Sequence, residues 1–246
     1  MIIPRYDLKK IKFATDEATF ERAVVLYETG KVTKFEYTMN GFSAIVIGTQ
    51  PYRVFVSALN YDCGSCDCYL GNQDMLCKHM VAVGIRAVTA GEPLSDDDKL
   101  QHNQIFCSDK LGTLTKIELS AVKKSITVAM RYIKSYSGPS RIWFAYQDSL
   151  REGCNYLSAI VSELPIGKET ARLLVDTLLR LDNKLQGGVD DSDGTVGGFI
   201  EEVVNILKEY AKLDPACKKA FLALINKKTC FGWEESLLQI INEEEE

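Results

Sequence analysis

Apolar residues recur at the helical period between Asp16 and Thr29, where Phe20, Ala23, Val24 and Tyr27 fall on one face. Thr15 or Asp16 can cap the start of this helix and Gly30 ends it. The pattern then changes to alternation. Val32, Phe35, Tyr37 and Met39 are interleaved with Thr33, Lys34, Glu36 and Thr38, which predicts a strand over 32–39 with a slip of phase at Val32. Asn40-Gly41 is a strong hairpin signal, so Phe42–Ile47 is read as a second strand. Gly48-Thr49-Gln50-Pro51 turns again, and Tyr52–Leu59 makes a third. Short turns of this kind connect antiparallel neighbours. After the third strand, Met80–Ala90 has Val81, Ala82, Ile85 and Val88 on one helical face, and Gly91 and Pro93 stop it.

From about Thr115 the pattern is helical throughout. Val122, Ile126, Ala129, Met130 and Ile133 form one stripe, broken at Ser137-Gly138-Pro139. A second helix is expected over about 140–164, with Trp143, Phe144, Leu150, Leu157, Ile160 and Val161 inward, and a third over about 168–185. The glycine-rich stretch 186–198 reads as a loop. A fourth helix then runs to Leu213, Asp214-Pro215 opens a fifth ending near Asn226, and Trp233–Ile241 is a short sixth. The predicted domains are 1–92, a linker over 93–114, a helical domain over 115–242 and an acidic tail over 243–246.

The residues between the third strand and the next helix carry the chemistry. Cys63, Cys66, Cys68 and Cys77 are half of the eight cysteines, and His79 is one of two histidines. Cys66 and Cys68 are two apart, so on an extended chain their thiolates point to one side. After an eight-residue loop Cys77 and His79 repeat that spacing. Two chelating pairs on a short loop suit a tetrahedral ion of borderline softness, which is zinc. The neighbours Gly64, Ser65, Asp67, Asn72, Gln73, Asp74 and Lys78 are polar or small, which argues against a buried apolar strand with incidental thiols.

Cys66-x-Cys68, a loop, then Cys77-x-His79 resembles the SWIM zinc finger family, over roughly residues 20–92. The resemblance implies a small ββα-like unit with one structural Zn2+ held by Cys66, Cys68, Cys77 and His79. It also implies a DNA or protein partner, in some members a helicase-like ATPase or a transposase. Cys63 is a fifth candidate thiol, so a site of Cys63, Cys66, Cys68 and Cys77 ranks as the alternative. Lys78 beside the ligands, with Arg53 and Lys34 on the meander, are the candidate partner contacts. The expected fold class is therefore α+β: a three-stranded antiparallel meander with flanking helices and a zinc site, followed by an all-α helical bundle. In so small a unit the ion is expected to supply much of the stability.

Charge adds little to this. The formal net charge is −5, yet the six glutamates from Glu234 onward mask a mildly basic 101–233 segment. Such an excess is weak support for phosphate contacts. No apolar run is long enough for a signal peptide or a membrane span, and eight cysteines in such a chain point to a reducing, cytoplasmic setting, nuclear if the source is eukaryotic. Other constellations fail on inspection. A calcium loop with its glycine at Gly194 would put Val189 and Ile200 at ligand positions. The pairs Gly187-Gly188 and Gly197-Gly198 lack the strand and the Lys-Ser/Thr of a phosphate loop. His102 and Cys107 are two ligands, short of a site. Trp143, Phe144 and Tyr146 beside Arg141 could stack on bases, but their helical spacing favours packing. Cys63-x-x-Cys66 lacks the strand–helix setting of a redox pair. With four protein ligands at hand, no open metal position and no nucleophile–base pair, the sequence predicts a non-enzyme with no small-molecule substrate.

Overall fold

A computed structural model describes residues 2–99, 105–140 and 143–242 of the 246-residue chain. His102, Arg141 and the tail 243–246 lie outside the described residues. The chain divides into two compact units, 1–101 and 102–246. The first is α+β, and the described elements of the second are helical apart from one isolated bridge.

The first unit opens with a helix the apolar pattern did not announce, α1 (Leu8–Ala14), capped by the Asp7 carboxylate accepting from the Lys10 N–H at 2.8 Å. α2 (Glu17–Glu28) is capped in the same way by Asp16 on Thr19. The sheet has four antiparallel strands in sequence order, not three: β1 (Val32–Tyr37), β2 (Gly41–Ile47), β3 (Pro51–Ser57) and β4 (Gly64–Cys66). β4 has only three residues, too few for alternation to show in the sequence. The phase slip noticed at Val32 is a β-bulge. The register jumps between Thr33 and Glu36, and Lys34 sits in it at φ 47°. The bulge lets Val32 and Phe35 face the same side, where Phe35 stacks on Phe42 at 5.8 Å. Gly41 belongs to β2 rather than to the turn. A Cβ there would lie 2.1 Å from the Val56 carbonyl oxygen.

α3 (Lys78–Thr89) occupies the centre of this unit. Every residue from His79 to Ile85 is buried, and the helix packs on α1, α2 and the sheet. One side of the sheet faces it through Phe42, Ala44, Val46, Val54 and Val56. The core therefore extends well beyond the cysteines. Ile11, Phe20, Phe42, Val46, Val56 and Val81 are all fully buried. A short helix α4 (Asp96–Lys99) follows, with Leu94 buried and its N–H on the Glu28 carboxylate.

In the second unit, α5 (Lys116–Ala129) starts with a Thr115–Glu118 capping box. α6 (Trp143–Glu163) packs on α5 and on α8 (Thr195–Leu213), while α7 (Lys168–Gln186) packs on α8 and on a 3-10 helix, Pro215–Leu224. α9 (Glu235–Asn242) closes the unit. Three expectations are corrected. The loop after α7 ends at Gly194, because the Asp191 carboxylate accepts from the N–H of Val196 and of Gly197 and so starts α8 before the second glycine pair. The fifth helix is 3-10 rather than α. Phe144 is not inward but 76% exposed: its neighbour Trp143 takes the inner position, with its indole N–H on the Asp190 carboxylate at 3.0 Å. Residues 105–114, expected as linker, are tied to the helices. The Ser108 hydroxyl donates to the Leu164 carbonyl, and Leu111 bridges Ile166. No described helix is long and apolar enough to cross a membrane.

Candidate metal centre

Cys66, Cys68, Cys77 and His79 converge. Their donor atoms all lie within 4.8 Å of one another, and all four side chains are buried. Strand pairing places the first. Cys66 is registered opposite Val54, whose side chain faces the core, so its sulfur points inward. Asp67 then faces outward and prolongs the ladder with its own side chain. Its carboxylate accepts from the Arg53 backbone N–H at 3.0 Å, and its N–H donates to the Arg53 carbonyl at 3.3 Å. Alternation across this anchor returns Cys68 to the inner side.

The loop beyond is folded around Cys68. The 3-10 turn Gly71–Gln73 donates the Gly71 N–H to the Cys68 sulfur at 3.4 Å and the Asn72 N–H to the Cys68 carbonyl at 2.9 Å. Gly71 passes so close to β4 that a Cβ there would meet the Cys66 carbonyl oxygen at 2.1 Å. Asp74 turns the chain at φ 55° and delivers it to α3. The second pair differs from the extended arrangement expected from its spacing. Cys77 is the extended N-cap of α3 and His79 lies in the first helical turn, so the cap geometry brings them together. The His79 Nδ1 faces the sulfurs, 3.7 Å from Cys66 and 3.9 Å from Cys77. Its Nε2 is buried with no hydrogen-bond partner among the described residues. The Tyr52 ring stacks on the imidazole at 4.4 Å.

The donor set fits a cation. The Cys77 thiol is pushed down to about 4, chiefly by a hydrogen bond from Cys66, with further help from His79 and the Met80 N–H at the helix start. The same bond to Cys77, and then burial, push the Cys66 thiol far up. One thiolate can thus be carried by its neighbours, but three in a buried space cannot ionise together without a positive charge among them. A soft divalent ion supplies that charge and uses all four donors, so this group could hold a metal ion. Cys63 is exposed and outside the group; the Asn60 side-chain amide approaches its sulfur at 4.0 Å.

The candidate partner contacts separate. Lys34 and Arg53 line one shallow hollow of about 440 Å3 on the outer side of the sheet, with Phe55 and Ser65. Arg53 also pairs with Asp67 at 3.4 Å. Lys78 is half-buried rather than exposed and does not line that hollow. Sequence reasoning missed the parts played by Asp67 and Tyr52. The signal for Asp67 was its position, an acid between two cysteines. Tyr52 carried no signal, because its role comes from strand register. In the second unit a concavity of about 680 Å3 lies along α8, with Phe231 on its rim. Among the described residues its lining holds no histidine or cysteine, and its Asp191 carboxylate accepts from the N–H of Val196 and of Gly197 in the first turn of α8.

Compared with known proteins, the chain matches no family model, no curated protein and no solved structure.

Proposed function

We propose that the first unit is a SWIM-type module that binds one structural zinc ion through Cys66, Cys68, Cys77 and His79 and docks nucleic acid, DNA foremost, without catalysing a reaction. The observation that carries this is the convergence of three sulfurs and one imidazole nitrogen in a buried cluster. That donor set is the one structural zinc takes, and four protein ligands leave no position for water or substrate. The docking half is supported by Lys34 and Arg53 sharing one hollow with Phe55, where Glu36 in the lining and the Asp67 partner of Arg53 offset part of the positive charge. The test is metal analysis with DNA-binding isotherms across a salt series. One zinc per chain is expected. Two to three phosphate contacts give a log–log salt slope of about −2 on either single or double strands. A flat slope, or no binding at low salt, rejects the nucleic-acid half.

One observation favours a second reading, a protein partner such as a helicase-like ATPase. Tyr69, Leu70 and Met75, on the loop between the two ligand pairs, expose 78%, 36% and 52% of their surface. Apolar side chains gathered on a metal-shaped loop suit a protein contact. A stoichiometric partner recovered by the native protein and lost with Tyr69→Ala/Met75→Ala supports this reading. Recovery unaffected by the double substitution, or no partner at all, rejects it.

A further inference from the structure

We infer that the β2–β3 hairpin is a clamp for the histidine ligand: Gly48 and Tyr52 act as positioning residues that present His79 Nδ1, not Nε2, to the metal. The inference rests on the metal-site reading above. Nδ1 is the ring nitrogen facing the sulfurs of Cys66 and Cys77, at 3.7 and 3.9 Å. A neutral imidazole that gives Nδ1 to a metal carries its proton on Nε2. In most metal sites that second N–H donates to a carboxylate or carbonyl, which fixes the ring. Here Nε2 is buried without such a partner among the described residues. The orientation has to come from elsewhere.

The hairpin supplies it by contact. Tyr52 is registered opposite Val46, on the side of the sheet that also carries Val54 and Cys66. Its ring lies 4.4 Å from the imidazole at an interplanar angle of 29°, a near-parallel shelf. The shelf is fixed across the turn by a 2.7 Å hydrogen bond between the Tyr52 and Thr49 hydroxyls. Gly48 closes the other approach. A Cβ there would stand 3.0 Å from His79 Nε2 and 2.9 Å from the Tyr52 ring, so any side chain presses on both rings. Two residues outside the ligand motif thus hold the imidazole by shape, where a hydrogen bond would otherwise do so.

The experiment compares zinc release from the full-length protein to a chromophoric chelator. Tyr52→Ala and Gly48→Ala are expected to release zinc about 10-fold faster or more, the usual scale for a lost ligand support. Tyr52→Phe keeps the ring and loses only the Thr49 bond, so it should release at close to the wild-type rate. Long-range proton–nitrogen correlation on the zinc-loaded wild-type protein is expected to show the His79 proton on Nε2. A proton on Nδ1, or Tyr52→Ala and Gly48→Ala both releasing at the wild-type rate, overturns the clamp. Because the tautomer is read on the unaltered protein, a variant that fails to fold does not shelter the idea. Cobalt substitution separates the two failures. No thiolate-to-cobalt charge transfer removes the metal site and the clamp with it, whereas a normal cobalt spectrum with zinc on Nε2 removes the clamp alone.

Discussion

Replacing Gly71 by alanine tests the geometry of the ligand loop without touching a ligand. The added Cβ would stand 2.1 Å from the Cys66 carbonyl oxygen, 2.6 Å from the Cys66 Cβ and 2.7 Å from its carbonyl carbon. None of these is a flexible side-chain tip, so relief takes a backbone movement of about 1 Å, in a site that tolerates about 0.5 Å. If the 3-10 turn moves, it gives up the Gly71 N–H···Cys68 sulfur bond and the Asn72 N–H···Cys68 carbonyl bond. Two bonds, one of them to a charged acceptor, come to about 2–4 kcal/mol. If Cys66 moves instead, its pairing with Val54 is disturbed. The metal-free loop can relax, so the cost falls on metal affinity. At 1.4 kcal/mol per decade it weakens zinc binding about 30- to 700-fold. The assay is competition for zinc with a chelator of known affinity. Gly198→Ala is the control, at an exposed position of α8 where a Cβ meets nothing within 4 Å. It should leave zinc affinity unchanged and stabilise the second unit by about 0.5–1 kcal/mol. Gly71→Ala binding zinc as tightly as wild type would refute the close-approach argument.

Other outcomes follow from the same geometry. Cys63→Ser should leave zinc stoichiometry and affinity at wild-type values, since its thiol is exposed and outside the cluster, whereas Cys68→Ser should weaken binding; metal titration checks both. Arg53→Ala should cost under about 1 kcal/mol by thermal melting, because the exposed ion pair contributes little and the Arg53 backbone bond to Asp67 persists. On the nucleic-acid reading the same variant lowers the salt slope by about 1. Chelating the metal should deprotect amides of 63–79 in hydrogen exchange while amides of β2 and α2, backed by Phe20, Phe42 and Val46, stay protected. The Asp190 carboxyl is held below its ordinary value by hydrogen bonds from Ser192 and then Trp143. Its folded pKa is depressed, so the stability it contributes is present above about pH 4 and lost as pH falls below that. Asp190→Asn should flatten that part of the acid profile, read by Trp143 fluorescence in a Trp233→Phe background.

Much of this architecture was legible in the sequence because periodicity reports burial. The faces of α2, of β2 and β3 and of α7 follow from it directly, whereas β1 ends at Tyr37 and leaves Met39, expected in its apolar set, 94% exposed. The convergence of Cys66, Cys68, Cys77 and His79 was legible because cysteine and histidine at those spacings serve few other purposes. What escaped has identifiable physical causes. β4 is too short for a period. The bulge at Lys34 looked like noise in an otherwise regular strand. Gly197-Gly198 reads as loop by propensity, and the carboxylate of Asp191, several residues upstream, overrides that by starting a helix. Trp143 and Phe144 are adjacent, so one helical face cannot bury both. The partner side chains of the imidazole were invisible because they come from a hairpin some thirty residues earlier in the chain.

Cys77 is at once a candidate ligand and the residue at which α3 begins. Each residue added to a helix turns it by about 100°. An insertion between Cys77 and His79 would therefore swing the enclosed body of α3 away from the cavities that Met80, Val81 and Ile85 fill. An insertion at Gln73 or Asp74 interrupts the Asp74 N–H to Gly71 carbonyl and Met75 N–H to Leu70 carbonyl bonds of an exposed bend, but displaces no buried side chain. The spacing of the second pair is thus locked by the interior, while the bend at 73–74 can lengthen at the smaller cost of a few exposed hydrogen bonds.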